Sequence, residues 1–134
     1  MYLGWAMKIN FSWRIQFGRI VPICSCENVN SNGKSVLLSL LLDDGGLHYS
    51  ETIFWIDEGI KRINSVLASE CSFLDWNRER WGTEFTLHNA QVYSLLDDSY
   101  FQNISTQQLK EALGAWKLFL ESTPDLQKNI EIKL

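Results

Sequence analysis

The sequence predicts an α+β fold: one domain in which a mainly antiparallel sheet packs against two amphipathic helices, at about 53–68 and 106–122. Apolar and polar residues alternate from Lys8 to Phe17. Apolar residues recur at steps of three and four from Ile53 to Leu67, and a helix-start signature stands at Ser105. A chain of 134 residues suits a single core. Its 46% hydrophobic content, with six Trp and seven Phe, supplies the apolar area needed to offset chain entropy. One domain over 1–134 is therefore expected, with residues 1–6 as an N-terminal extension or, through Leu3 and Trp5, a docked arm.

The first element, "KINFSWRIQF", sets Ile9, Phe11, Trp13 and Ile15 against Lys8, Asn10, Ser12, Arg14 and Gln16, the period of a half-buried strand. A polar loop, "CENVNSNGK", follows at 26–34. "VLLSLLL", residues 36–42, is apolar on both alternating faces and reads as a central strand, with a buried helix turn as the alternative. "DDGG" then supplies turn chemistry, and "LHYS" is expected to return antiparallel. In the next segment Ile53, Ile56, Ile60, Ile63 and Leu67 share one helical face. Asp57 with Lys61 and Glu58 with Arg62 form acid-before-base pairs on the opposite side, and Gly59 is a weak point.

From residue 71, "CSFLDW" reads as a strand and "TEFTLHNAQVYSLL" as two strands joined around His88 and Asn89, ended by Asp97 and Asp98. Ser105 followed by Gln108 forms a capping box, and Ile104 with Leu109 a hydrophobic staple. Leu109, Ala112, Leu113, Trp116, Phe119 and Leu120 then line the buried side of a helix that Pro124 stops near Ser122.

Charge and motifs exclude several functions. Sixteen acidic against twelve basic residues give a net charge of −4, which speaks against a nucleic-acid binder that must neutralise phosphates. Residues 1–34 hold four basic and one acidic residue (net +3), and residues 35–134 hold eight and fifteen (net −7). No apolar run reaches the roughly 20 residues of a membrane span, and the start lacks the pattern of a signal peptide, so a cytosolic location is expected. Three cysteines, two of them at 24 and 26, imply no disulfide framework. Cys24, Cys26, Cys71, His48 and His88 lack the spacing of common zinc sites, so neither metal nor cofactor is implied.

"NVNSNGKS", residues 28–35, imitates a phosphate-binding loop. Asn28 stands where its first glycine belongs, and a strand is expected where that loop needs a helix. His48 and His88 are the side chains that titrate near neutrality, and neither has a nucleophile signature beside it. No catalytic residue is assigned.

Acidity gathers in two cation-free segments. Residues 35–60 contain five acids and no Lys or Arg; residues 81–109 contain Glu84, Asp97 and Asp98 and again no Lys or Arg. With Asp57 and Glu58 neutralised on their helix, Asp43, Asp44, Asp97 and Asp98 remain, close in sequence to Tyr49, Tyr93 and Tyr100. Acids mixed with tyrosines suit a protein interface, where aromatics supply contact area and charge steers a basic partner. Ordinary solvated turns are the plainer explanation for the same aspartates.

The succession "WGTEFTL", "VYSLLDDSYFQNIS" and "LKEALGAWKLFLE", within residues 76–122, resembles the closing half of small immunity proteins from bacterial polymorphic toxin systems, including contact-dependent growth inhibition. Leu109, Leu113, Trp116 and Phe119 match the core spacing of their final helix. The resemblance implies an antitoxin that occludes a cognate toxin domain, often a nuclease, stoichiometrically and without catalysis. It carries over no binding residue. A small enzyme or ligand-binding domain with a pocket near His48 or His88 is the competing reading, and a subunit of a larger assembly is a third.

Overall fold

The computed structural model describes residues 7–26 and 35–134; the expected extension at 1–6 and nearly all of the polar loop, with Lys34, lie outside the described residues. Two antiparallel sheets and three helices make up an α+β fold. Strands β1 (Lys8–Gln16), β2 (Arg19–Cys26) and β7 (Asn129–Lys133) form one sheet in the order β2-β1-β7. Strands β3 (Leu74–Asn77), β4 (Trp81–Phe85), β5 (Asn89–Ser94) and β6 (Phe101–Ser105) form the other as a meander in chain order. The helices are α1 (Val36–Leu42), α2 (Tyr49–Leu67) and α3 (Thr106–Glu121).

The alternation in β1 does what its pattern implies. Ile9, Phe11 and Trp13 are buried, and Phe11 and Trp13 meet Trp116 and Phe119 of α3 at ring separations of 5.1 and 4.9 Å. The strand stops one residue short of Phe17, which joins Gly18 in a two-residue turn with φ of 51° and 75°. Two positive φ values are the arrangement of a type I′ hairpin, so Phe17 occupies a left-handed position and is fully exposed. Strand β2 had no sequence expectation: its Pro22 argues against an interior strand, and β2 lies at the sheet edge, where a missing N–H is tolerated.

Residues 36–42 correct the expected central strand, because they form α1, the helical alternative. Ser35 caps it, its Oγ accepting from the Leu38 amide, and Gln102 Oε1 of β6 accepts from the Leu37 amide at 3.0 Å. Val36, Leu37, Leu38, Leu40 and Leu41 are all buried, since α1 lies between β2 and the inner face of β4, β5 and β6. Surroundings that are apolar on every side erase the amphipathic period that would have marked a helix. The helix also alters the phosphate-loop comparison: residues 28–34 lie outside the described residues, but a helix does follow them. Against it stand Asn28, the antiparallel edge position of β2 and a helix of only seven residues.

"LHYS" does not return as a strand either. His48 is the N-cap of α2, its Nδ1 accepting from the Ser50 amide at 3.3 Å, so α2 begins four residues ahead of Ile53. Arg62 pairs with Glu58 at 3.4 Å as expected, but Asp57 reaches across to Lys117 of α3 at 2.6 Å instead of to Lys61. At Ser105 both halves of the capping box are present, and α3 ends at Glu121 with Ser122 as its cap. "CSFLDW" supplies only a short strand beginning at Leu74.

Gly59 is a packing requirement. A Cβ there would lie 2.8 Å from the indole of Trp76, which β3 lays across α2; on α3, a Cβ at Gly114 would meet open space. Gly59→Ala is expected to destabilise by about 1–2 kcal/mol, because overpacking outweighs the helix-propensity gain, whereas Gly114→Ala stabilises by up to about 1 kcal/mol. Urea unfolding of both variants checks the contrast. In the same assay Phe17→Asn is expected to gain about 1 kcal/mol, since Asn accepts the left-handed conformation that Phe resists.

Candidate functional site

In the meander, successive side chains of each strand face opposite ways. Trp76, Thr83, Phe85, Ala90, Val92 and Ile104 point inward and are buried. The outer face presents two cross-strand rows. One runs Asp75–Glu84–Gln91–Asn103 and the other Asn77–Gly82–Tyr93–Phe101. Asp75 and Glu84 are directly opposed and exposed, a like-charge pairing that costs a sheet a few tenths of a kcal/mol. Tyr93 leans along this face, its hydroxyl donating to Glu84 Oε1 at 3.4 Å. Partial burial, then the Glu84 and Asp75 charges, raise the pKa of that phenol above its ordinary value.

Among the described residues, cations stand only at the margin of this face. Arg62 Nη1 donates to the Asp75 carbonyl at 2.8 Å and lies 3.9 Å from its carboxylate. Arg80 occupies the β3–β4 turn. At the same end of the sheet, the β5–β6 loop exposes Asp97, Asp98 and Tyr100. The amide and hydroxyl of Ser99, at 3.1 and 2.6 Å, hold the Asp97 carboxyl below the usual carboxylate range.

The sequence-derived residues thus divide. Tyr93, Asp97, Asp98 and Tyr100 gather at one end of the outer sheet face. Asp43 is joined to that end through the β3–β4 turn, for its Oδ2 accepts from the Arg80 and Trp81 amides at 2.7 and 3.1 Å, and the Arg80 carbonyl accepts from Leu95. Its carboxylate is thereby committed to the backbone. Asp44 accepts from the Gly46 amide at 2.8 Å within its own exposed turn. Tyr49 belongs elsewhere: half-buried, it packs edge-on against Trp13 at 5.1 Å. Asp75, Glu84 and Phe101 were missed, though strand alternation places Glu84 and Tyr93 on one face once the register is known.

Tyr49 and His48 line a second feature, a half-open cleft of about 700 Å³ between β2 and the α1–α2 turn. Its walls mix apolar and polar groups, and Arg78 is among the residues that line it. Only 6% exposed, Arg78 has no hydrogen-bond partner for Nε and Nη1 among the described residues. Burial pulls this guanidinium down to about 10 while the Asp43 and Asp44 charges work the other way, so it remains charged at neutral pH. Nothing in "NRER" distinguishes Arg78 from Arg80, and only the fold buries one and exposes the other.

His48 Nδ1 accepts from the Ser50 amide, which leaves the ring proton on Nε2 and makes the 2.7 Å contact with Ser50 Oγ a second donation into the cap. His88 is exposed beside a shallower hollow that Cys71 also lines. Burial pushes the Cys24 thiol up to about 12, which keeps it protonated and unreactive. Among the described residues no three of His, Cys, Asp and Glu gather closely enough to hold a metal ion, and no helix is long and apolar enough to cross a membrane.

Compared with known protein families, with curated proteins and with solved structures, the chain matches none.

Asp43→Ala, which strips two backbone amides of their acceptor, is expected to cost about 1–3 kcal/mol, while Asp98→Ala stays within about 0.5 kcal/mol. Thermal unfolding of the two variants separates the structural aspartate from the solvated one.

Proposed function

We propose that this chain is an immunity protein, which binds a cognate toxin domain with a basic surface and neutralises it by stoichiometric occlusion in the cytoplasm. The outer face of the β3–β6 sheet is the docking surface. The observation that supports it is the opposed Asp75–Glu84 pair on an exposed face whose strands β4 to β6 carry no Lys or Arg. Arg62 at the margin offsets part of the repulsion, and a cation of a partner entering between the two carboxylates relieves the rest. Tyr93, Tyr100 and Phe101, the last two 43% and 49% exposed, add the aromatic contact area that interfaces favour. A nuclease grips phosphates with Lys and Arg, so an acidic face can compete for that surface and steer the encounter. The toxin half of this reading rests on the resemblance carried by residues 76–122.

A second reading, a small ligand-binding domain or enzyme, is favoured by the cleft beside His48. The two make opposite demands on the same variants. With the toxic domain encoded beside this chain as the probe, a one-to-one complex is expected to restore growth. The triple variant Glu84→Lys, Asp97→Lys, Asp98→Lys should slow association roughly tenfold or more and flatten its salt dependence. His48→Ala with His88→Ala should leave neutralisation intact. Absence of a toxic neighbour, or association indifferent to both charge reversal and salt, overturns the proposal.

A further inference from the structure

The cleft is lined by none of the residues that the docking reading uses, and its chemistry is different. An unpaired guanidinium inside a protein is costly: charge-assisted hydrogen bonds are what normally offset its desolvation, and here two nitrogens make none among the described residues. Trp76 offers its ring face to the guanidinium at 5.7 Å, which is attractive but satisfies no N–H. The carboxylates nearest in charge are already engaged elsewhere, Asp43 by the Arg80 and Trp81 amides and Asp44 by the Gly46 amide, and neither forms an ion pair with Arg78. Arg78 is therefore a buried donor group whose Nε and Nη1 have no acceptor among the described residues, on the wall of a cavity of the size that small-molecule sites show.

We propose that this cleft binds a small organic acid, its carboxylate accepting from the Arg78 guanidinium and its apolar body lying between Ile20 and Ile23 of β2, Leu41 of α1, Tyr49 of α2 and Trp116 of α3. A monocarboxylate fits better than a phosphate. Among the described residues Arg78 is the one buried cation lining the cleft, and Asp44 at its rim repels a dianion more strongly than a monoanion. Arg19, exposed on β2 and also lining the cleft, supplies a second positive charge at the mouth. The apolar part of the lining, with Ile20, Ile23, Leu41, Tyr49 and Trp116, favours a ligand with a hydrophobic body.

The test uses the purified chain alone, with no toxin present, so its failure and that of the docking proposal are distinguishable. Phenylacetate is titrated while melting temperature is followed and heat of binding measured; phenylacetamide serves as the uncharged isostere. A short blocked peptide containing one glutamate represents a carboxylate delivered by a protein partner. The acid is expected to raise the melting temperature with increasing concentration, and the amide and peptide are not. Arg78→Lys should weaken the acid at least roughly tenfold, the loss expected when charge-assisted hydrogen bonds are disrupted. Arg78→Met should abolish the response and, in the absence of any acid, melt no lower than the parent protein, because a buried charge without a partner stabilises nothing. Binding of the peptide without phenylacetate overturns the small-acid proposal in favour of a partner's side chain. No response to any carboxylate, together with a lower melting temperature for Arg78→Met, overturns the site altogether.

Discussion

Burial of a seven-residue, almost wholly apolar helix is the constraint on which the rest of this structure depends. Alone, a helix this short would not persist in water, since nucleation costs more than so few hydrogen bonds return. It persists because both ends are tied to the four-stranded sheet. Gln102 of β6 accepts from Leu37 at the start, and Asp43 receives the Arg80 and Trp81 amides at the finish. Those bonds also work in the other direction. They hold β6 and the β3–β4 turn in position against the helix, and through Arg80 and Leu95 they locate the loop that bears Asp97 and Asp98. The inner sheet faces close over α1, so the outer face of the meander is left to solvent.

Among the described residues several features run against local stability: the opposed carboxylates of Asp75 and Glu84, the unpartnered guanidinium nitrogens of Arg78, the unpartnered indole N–H of Trp13, and Phe17 and Ser69 at positive φ. Elsewhere propensity, pattern and packing agree, as at the capping box of α3 and the ring cluster joining it to β1. Agreement at every level but a few places is the mark of a sequence shaped by folding and then by something else. The first two of these departures coincide with the proposed surfaces. The others have no assigned role.

The two surfaces ask different things of the same scaffold. An exposed, charged sheet face gives speed and selectivity of encounter but little dry contact, so the neighbouring Tyr93, Tyr100 and Phe101 must supply area. A cleft with partly apolar walls and a buried cation gives orientation and selectivity for a small anion. Both draw on the α1–α2 turn, where Asp43 braces the sheet and Asp44 edges the cleft. That turn is therefore the structural link between them.

The α+β class, β1, α2, the β4–β5 hairpin and both ends of α3 were legible in the chain itself, because each is governed by local periodicity or by a cap spanning four residues. Tyr93, Asp97, Asp98 and Tyr100 were recognisable as acids and aromatics with no cation near in sequence. Only the tertiary structure decided that "VLLSLLL" is a helix, because an element enclosed on every side shows no period to distinguish it. The same holds for the edge strands β2 and β7, which contribute few buried residues to signal themselves, and for the transfer of Asp57 from Lys61 to Lys117. Whether a charge is buried or solvated depends on which surfaces close over it. For that reason Asp43 became a structural brace, Asp75 and Glu84 became cross-strand neighbours, and Arg78 rather than Arg80 came to lie in the cleft.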